Sequence, residues 1–128
     1  NAMLSDLSGK CDVVLIDAPC SGSGTWRRNP ETRWRLDPAR LQRVIDEQAR
    51  LLGIGAEMVA SGGHMVYAVC SLIAAEGRGQ VAGFLASNSG WRAVGTGVPA
   101  GRPDGDGTLL TPHHDGCDGF FFARLEKL

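Results

Sequence analysis

The sequence predicts an α/β fold, and three observations carry that expectation. Two apolar runs stop abruptly at polar, turn-forming residues: Val13-Val14-Leu15-Ile16 at Asp17-Ala18-Pro19-Cys20, and Met65-Val66-Tyr67-Ala68-Val69 at Cys70-Ser71. Runs of that kind read as buried parallel strands opening into loops. Between them Leu41, Val44, Ile45, Gln48, Leu51, Leu52, Ala56 and Val59 recur at helical spacing. A helix between two strands is a crossover, so the strands should pair in parallel.

Each element follows from local chemistry. The first strand covers about 12–17 and gives way to a loop over 18–36 rich in Gly, Pro and Arg. A long helix should begin at Pro38, with Asp37 as its N-cap, and run to about Ala60. Ser61-Gly62-Gly63 would stop it. The second strand covers about 64–69, and a shorter helix around 74–87 buries Val81, Phe84 and Leu85. Gly77 and Gly79 weaken the start of that helix by roughly 1 kcal/mol each, so it should fray there. A strand at Trp91–Val94 precedes residues 95–107, whose five glycines, two prolines and two aspartates predict a mobile loop. A last strand covers about 119–125.

Composition narrows the function. The 128 residues make one small domain at most, and Asn1-Ala2 ahead of Met3 reads as an expression scar, leaving 3–128 for the fold. A net charge of −1 gives no global attraction to nucleic acid. No apolar run reaches the ~20 residues a bilayer span requires. Cys11, Cys20, Cys70 and Cys117 are widely spaced, which indicates neither a disulfide framework nor a zinc site and suits a reducing cytoplasm. His113, His114, Asp115 and Cys117 fit no common zinc spacing, so no metal is expected.

Chemistry is concentrated where the two strands end. In open α/β sheets ligands bind outside the carboxyl ends of the strands, and here two thiols and a carboxylate are delivered to that edge. The segments Asp17-Ala18-Pro19-Cys20-Ser21-Gly22-Ser23-Gly24-Thr25, Arg28-Asn29-Pro30 and Tyr67-Ala68-Val69-Cys70-Ser71-Leu72 resemble the Sun family of RNA (cytosine-5) methyltransferases. So does the tail from Leu110 through Thr111-Pro112-His113-His114-Asp115-Gly116-Cys117-Asp118-Gly119 to Phe121. Within the family, the likeness is greatest to the small-subunit ribosomal RNA methyltransferase B group, over about residues 10–126. The resemblance implies a Rossmann-like, S-adenosylmethionine-dependent domain with a mostly parallel sheet and an antiparallel last strand. The glycine-rich turn and following acid that hold that cofactor are not in this sequence. The chain therefore reads as the C-terminal half of the catalytic domain, inactive by itself. Its first strand would offer an unpaired edge for self-association.

The reaction explains why these residue types are needed. Cytosine C5 is a poor nucleophile until a thiolate adds at C6 and turns the ring into an enamine. The resemblance makes Cys70 that nucleophile and Cys20 the thiol that helps break the adduct after methyl transfer. Asp17 would contact both cofactor and base, and Pro19 would shape the base pocket. Val69 stands where the family usually has threonine, so a hydroxyl beside Cys70 is lost. Trp26 to Arg43 holds six arginines against two acids; Arg27, Arg28 and Arg33 are candidate contacts to RNA phosphates, and the indoles could stack on unpaired bases. The expected partner is RNA, ribosomal by the resemblance. A non-catalytic RNA-binding or assembly module derived from the same fold is the competing reading.

Overall fold

A computed structural model describes residues 2–128. Asn1 lies outside the described residues, and Ala2, set apart with it on sequence grounds, opens a short helix α1 (Ala2–Ser5). The elements that follow are β1 (Cys11–Asp17), α2 (Pro38–Met58), β2 (Val59–Val69), α3 (Arg78–Ser87), β3 (Trp91–Val94), β4 (Arg102–Asp104), β5 (Gly107–Leu110), α4 (Pro112–Asp115) and β6 (Phe120–Lys127).

The fold is α/β, with β1 and β2 paired in parallel and β6 antiparallel to β2, as expected. β6 is the organising strand. One of its edges pairs with β2; the other is shared, with β5 along Phe120–Phe122 and β3 along Arg124–Lys127. Because β3 and β5 each oppose β6, four strands (β1, β2, β3 and β5) run in one direction. The hydrogen-bonded parallel pairing is nevertheless confined to β1 and β2, since β6 is interposed between β2 and the rest.

Strand alternation sets the core. Met65, Tyr67 and Val69 of β2 lie opposite Leu125, Ala123 and Phe121 of β6, and all six are at most 1% exposed. The largest of these, Tyr67, sits across from the smallest, Ala123, so volumes interdigitate. Val14 and Ile16 of β1 join the same face. Helix α2 covers it with Leu51, Leu52 and Ala56, and its Gly55 comes so close that a Cβ there would lie 2.7 Å from Ile16 Cδ1. On the opposite face of β1, Val13 is 63% and Leu15 67% exposed.

Several boundaries depart from the sequence reading. Asp37 does cap α2, accepting from the Arg40 amide at 2.7 Å, but the helix ends at Met58 and passes directly into β2. The glycines do not stop the helix. They lie in a bulge of β2, where the pairing jumps from Cys11–Val59 to Val13–His64, with Gly62 at φ 80°. Lys127 instead serves the helix end, its Nζ donating to Val59 O at 2.9 Å and Ala56 O at 3.4 Å. The segment expected to be a mobile loop contains β4, which forms a hairpin with β5 across Gly105-Asp106, Gly105 lying at φ 58°. The predicted frayed stretch is also ordered by contacts: Glu76 is fully buried, Gln80 nearly so, and α3 begins only after Gly77, where a Cβ would lie 2.8 Å from Phe121 Cγ.

Candidate active site

Parallel register brings the two cysteines together. Asp17 pairs with Ala68, so the chains leave the sheet side by side and each reaches its cysteine a few residues later. Cys20 Sγ and Cys70 Sγ stand 3.3 Å apart, both half-buried. The loop after β1 is drawn over this point by backbone bonds: Gly24 N–H donates to Cys70 O at 3.0 Å, and Gly119 N–H donates to Gly24 O at 2.7 Å. Three loops, after β1, after β2 and before β6, thus meet around the thiols.

The pair shares a proton unequally. Cys70 is drawn down to about 6, chiefly by the hydrogen bond from Cys20; burial and the charges of Asp17 and Glu76 oppose that shift. Cys20 is pushed strongly up, first by the same hydrogen bond and then by burial. Both directions favour a thiolate at Cys70 beside a protonated Cys20. A thiolate is the reactive form.

Asp17 is exposed at the end of β1, and its carboxylate accepts no hydrogen bond among the described residues. Pro19 is exposed next to Cys20, and its carbonyl accepts from Gln48 Nε2 at 2.9 Å, tying the turn to α2. A concavity of about 250 Å³ opens beside Cys20, lined also by Ser21, Thr32, Arg35 and Arg40. Another concavity, of about 480 Å³, lies between α1 and α2 against Leu51, Ile54 and Met58. Neither thiol lines it, whereas Cys20 lines the smaller one.

The arginine-rich segment divides in two. Arg27 Nε and Arg28 Nε both pair with Asp118, at 3.0 and 2.6 Å, while staying half or more exposed. Their first partner is thus a carboxylate that anchors the loop before β6. Arg33 stacks its guanidinium 4.7 Å from the centre of the Trp34 ring, and Trp34 is 77% exposed. Trp26 is different: it is half-buried, and its indole N–H is buried without a hydrogen-bond partner among the described residues. Arg35 and Arg40, which the sequence reading passed over, line the concavity and make no ion pair among the described residues. In α4, Thr111 caps the turn by accepting from the His114 amide at 3.1 Å, and Asp115 accepts from the Thr111 amide at 2.9 Å.

The sequence reading also missed Glu76. Its signal was faint: a lone acid, five residues after Ser71, at the start of the helix expected over 74–87, where fraying was expected.

Fold and site together define an α/β domain that presents a pair of adjacent thiols at the carboxyl ends of parallel strands. The chain belongs to the 16S rRNA methyltransferase RsmB/F family, whose model matches residues 2–126. A relative in Synechocystis, described as "Probable ribosomal RNA small subunit methyltransferase B", is 41% identical over 121 residues. That match covers 91% of this chain and 27% of the relative. The ribosomal RNA small subunit methyltransferase B of Thermus thermophilus is 40% identical over 116 residues, covering 90% of this chain and 29% of its own length. Among solved structures, NSun6 from Pyrococcus horikoshii with SFG superposes with a TM-score of 0.84 at 26% identity, over 98% of this chain and 32% of that one. This chain thus spans less than a third of the length of these relatives.

Proposed function

We propose that this chain supplies the thiol half of a catalytic centre that forms 5-methylcytosine in RNA, with ribosomal RNA as the substrate. The observation that carries the reading is the pair of sulfurs 3.3 Å apart at the ends of β1 and β2. Covalent catalysis at C6 needs a thiolate to add and a second group to take a proton later, and the pair is graded for that division of labour.

Cys70 adds to C6 as a thiolate, and the electron pair of the C5–C6 double bond moves into the ring toward N3. Asp17 would hold a proton near N3 of the ring. Bound S-adenosylmethionine would supply an electrophilic methyl group to C5, its sulfonium leaving as the thioether, with Asp17 against the cofactor and Pro19 shaping the base pocket. Once Cys70 carries carbon, its charge no longer holds the proton on Cys20. The leading cause of the raised Cys20 value is thereby removed, and Cys20 gains the acidity that lets it act as a thiolate base. Cys20 releases its proton to solvent and then takes the C5 proton; the C5–C6 double bond re-forms, the proton at N3 returns to Asp17, and Cys70 leaves as a thiolate. Arg35 and Arg40 would hold flanking phosphates and Trp34 an unpaired neighbouring base, joined by Arg27, Arg28 and Arg33 at the rim.

Titration calorimetry of S-adenosylmethionine tests the reading, using this chain and the same chain extended upstream. Binding to the extended chain alone is the expected result. Incubation of the extended chain with RNA carrying 5-fluorocytidine should then leave a covalent adduct on Cys70, because no C5 proton can be removed. Absence of both binding and adduct would leave an RNA-binding module as the surviving reading. The exposed Val13 and Leu15 edge is proposed to self-associate in the isolated chain, so light scattering should show a mass that rises with concentration. A constant monomer mass would reject that association.

A further inference from the structure

Each cysteine is followed by a serine, Cys20-Ser21 and Cys70-Ser71, and both serines meet one carboxylate. Ser21 Oγ donates to Glu76 Oε2 at 2.7 Å, and Ser71 Oγ donates to the same oxygen. The Ser21 amide donates to Oε1 at 2.7 Å, and Gln48 Nε2 to Oε1 at 3.1 Å. Gln48 also holds the Pro19 carbonyl, and Gln80 Nε2 donates to Gln48 Oε1 at 3.1 Å. Glu76, Gln48 and Ser71 are at most 1% exposed. A single buried side chain therefore joins the loop after β1 to the loop after β2, one residue beyond each sulfur.

A carboxylate is costly to bury unless its lone pairs are met, and here four donors meet them. Its charge disfavours a thiolate at either cysteine. Electrostatic activation is thus the wrong account of its presence. What it provides is a fixed separation, since four converging hydrogen bonds leave the two Cys-Ser units little freedom to slide apart.

We infer that Glu76 is a positioning residue, a clamp on the Ser21 and Ser71 hydroxyls that sets the contact between Cys20 Sγ and Cys70 Sγ. Its consequence for catalysis rests on the covalent reading above. The geometric claim does not, and the test reads thiols without RNA or cofactor.

The two accounts of Glu76 predict opposite signs. As a clamp, its removal in Glu76→Ala parts the sulfurs, so Cys70 loses its hydrogen bond and its alkylation midpoint rises. As a charge, its removal lowers that midpoint. Glu76→Gln keeps an acceptor for the Ser21 amide and Gln48, and its NH₂ can donate to the serine hydroxyls, so it should preserve the contact. Phenylarsine oxide, which bridges two neighbouring thiols, reports the separation directly in the 128-residue chain with Cys11→Ser and Cys117→Ser. Bridging should be about tenfold slower in Glu76→Ala, the scale of one lost charge-assisted hydrogen bond, and close to the parent rate in Glu76→Gln. Ser21→Ala, a milder cut, should slow bridging in the same direction and decides the matter if Glu76→Ala does not fold. Unchanged bridging in the folded variant, or a lowered midpoint, would overturn the clamp. If bridging behaves as expected while the extended chain forms no adduct with RNA, the clamp stands and the methylation reading falls.

Discussion

In Cys20→Ala, the midpoint for alkylation of Cys70 is expected to climb from about 6 to the ordinary thiol value near 8.5 or above. The sign follows from the causes. The hydrogen bond from Cys20 is the largest influence lowering Cys70, while burial and the charges of Asp17 and Glu76 all raise it. Deleting the donor leaves the raising influences in place. A group with a lowered value is mostly thiolate above that value, so at pH 7 the thiolate fraction should fall from roughly nine-tenths to a few per cent, about thirtyfold. Iodoacetamide labelling across pH, with Cys70 followed by peptide mass, measures this. A midpoint still near 6 would mean that the neighbouring sulfur does not hold the proton and that Cys20 has lost its proposed role.

A second large effect is expected in the backbone junction above the thiols. A Cβ on Gly24 would stand 2.0 Å from Gly119 O and 2.6 Å from its carbonyl carbon. Both offending atoms are main chain, so no rotamer change relieves the collision. Gly24→Ala should therefore cost about 3 kcal/mol, as overpacking in a rigid site does, and lower the melting temperature by roughly 10 °C. Gly53→Ala is the matching control: nothing lies within 4 Å of its Cβ, and it should stabilise α2 by up to about 1 kcal/mol. Equal melting temperatures for Gly24→Ala and the parent would show that the loops do not approach as described.

What was readable in the sequence and what was not divide along a physical line. β1, α2, β2 and β6 were legible because local pattern decides them: an apolar run ending at Cys20, a capping Asp37 before Pro38, alternation through Phe121, Ala123 and Leu125. The thiol pair was legible because parallel pairing of β1 and β2 follows from the crossover. Long-range hydrogen bonding was not. Gly62 reads as a helix stop by composition, yet pairing with β1 recruits its neighbours into a strand bulge. Arg102–Asp104 is a strand because β5 lies beside it. Arg27 and Arg28 look like free cations until Asp118, some ninety positions away, closes on them. Glu76 acquires its meaning only when Ser21, 55 positions distant, arrives.

The place of β6 in the sheet has a consequence for the order of events during synthesis. β1 and β2 are joined by a local crossover and can pair as soon as both have left the ribosome. β3 and β5 cannot do the same, because the strand that both of them hydrogen-bond is later in sequence than either. Until residues 120–127 emerge, the apolar sides of Trp91 and Leu109 await their support, and the nascent chain carries the two thiols on an unfinished sheet, without the Gly119 contact that closes the loop over them.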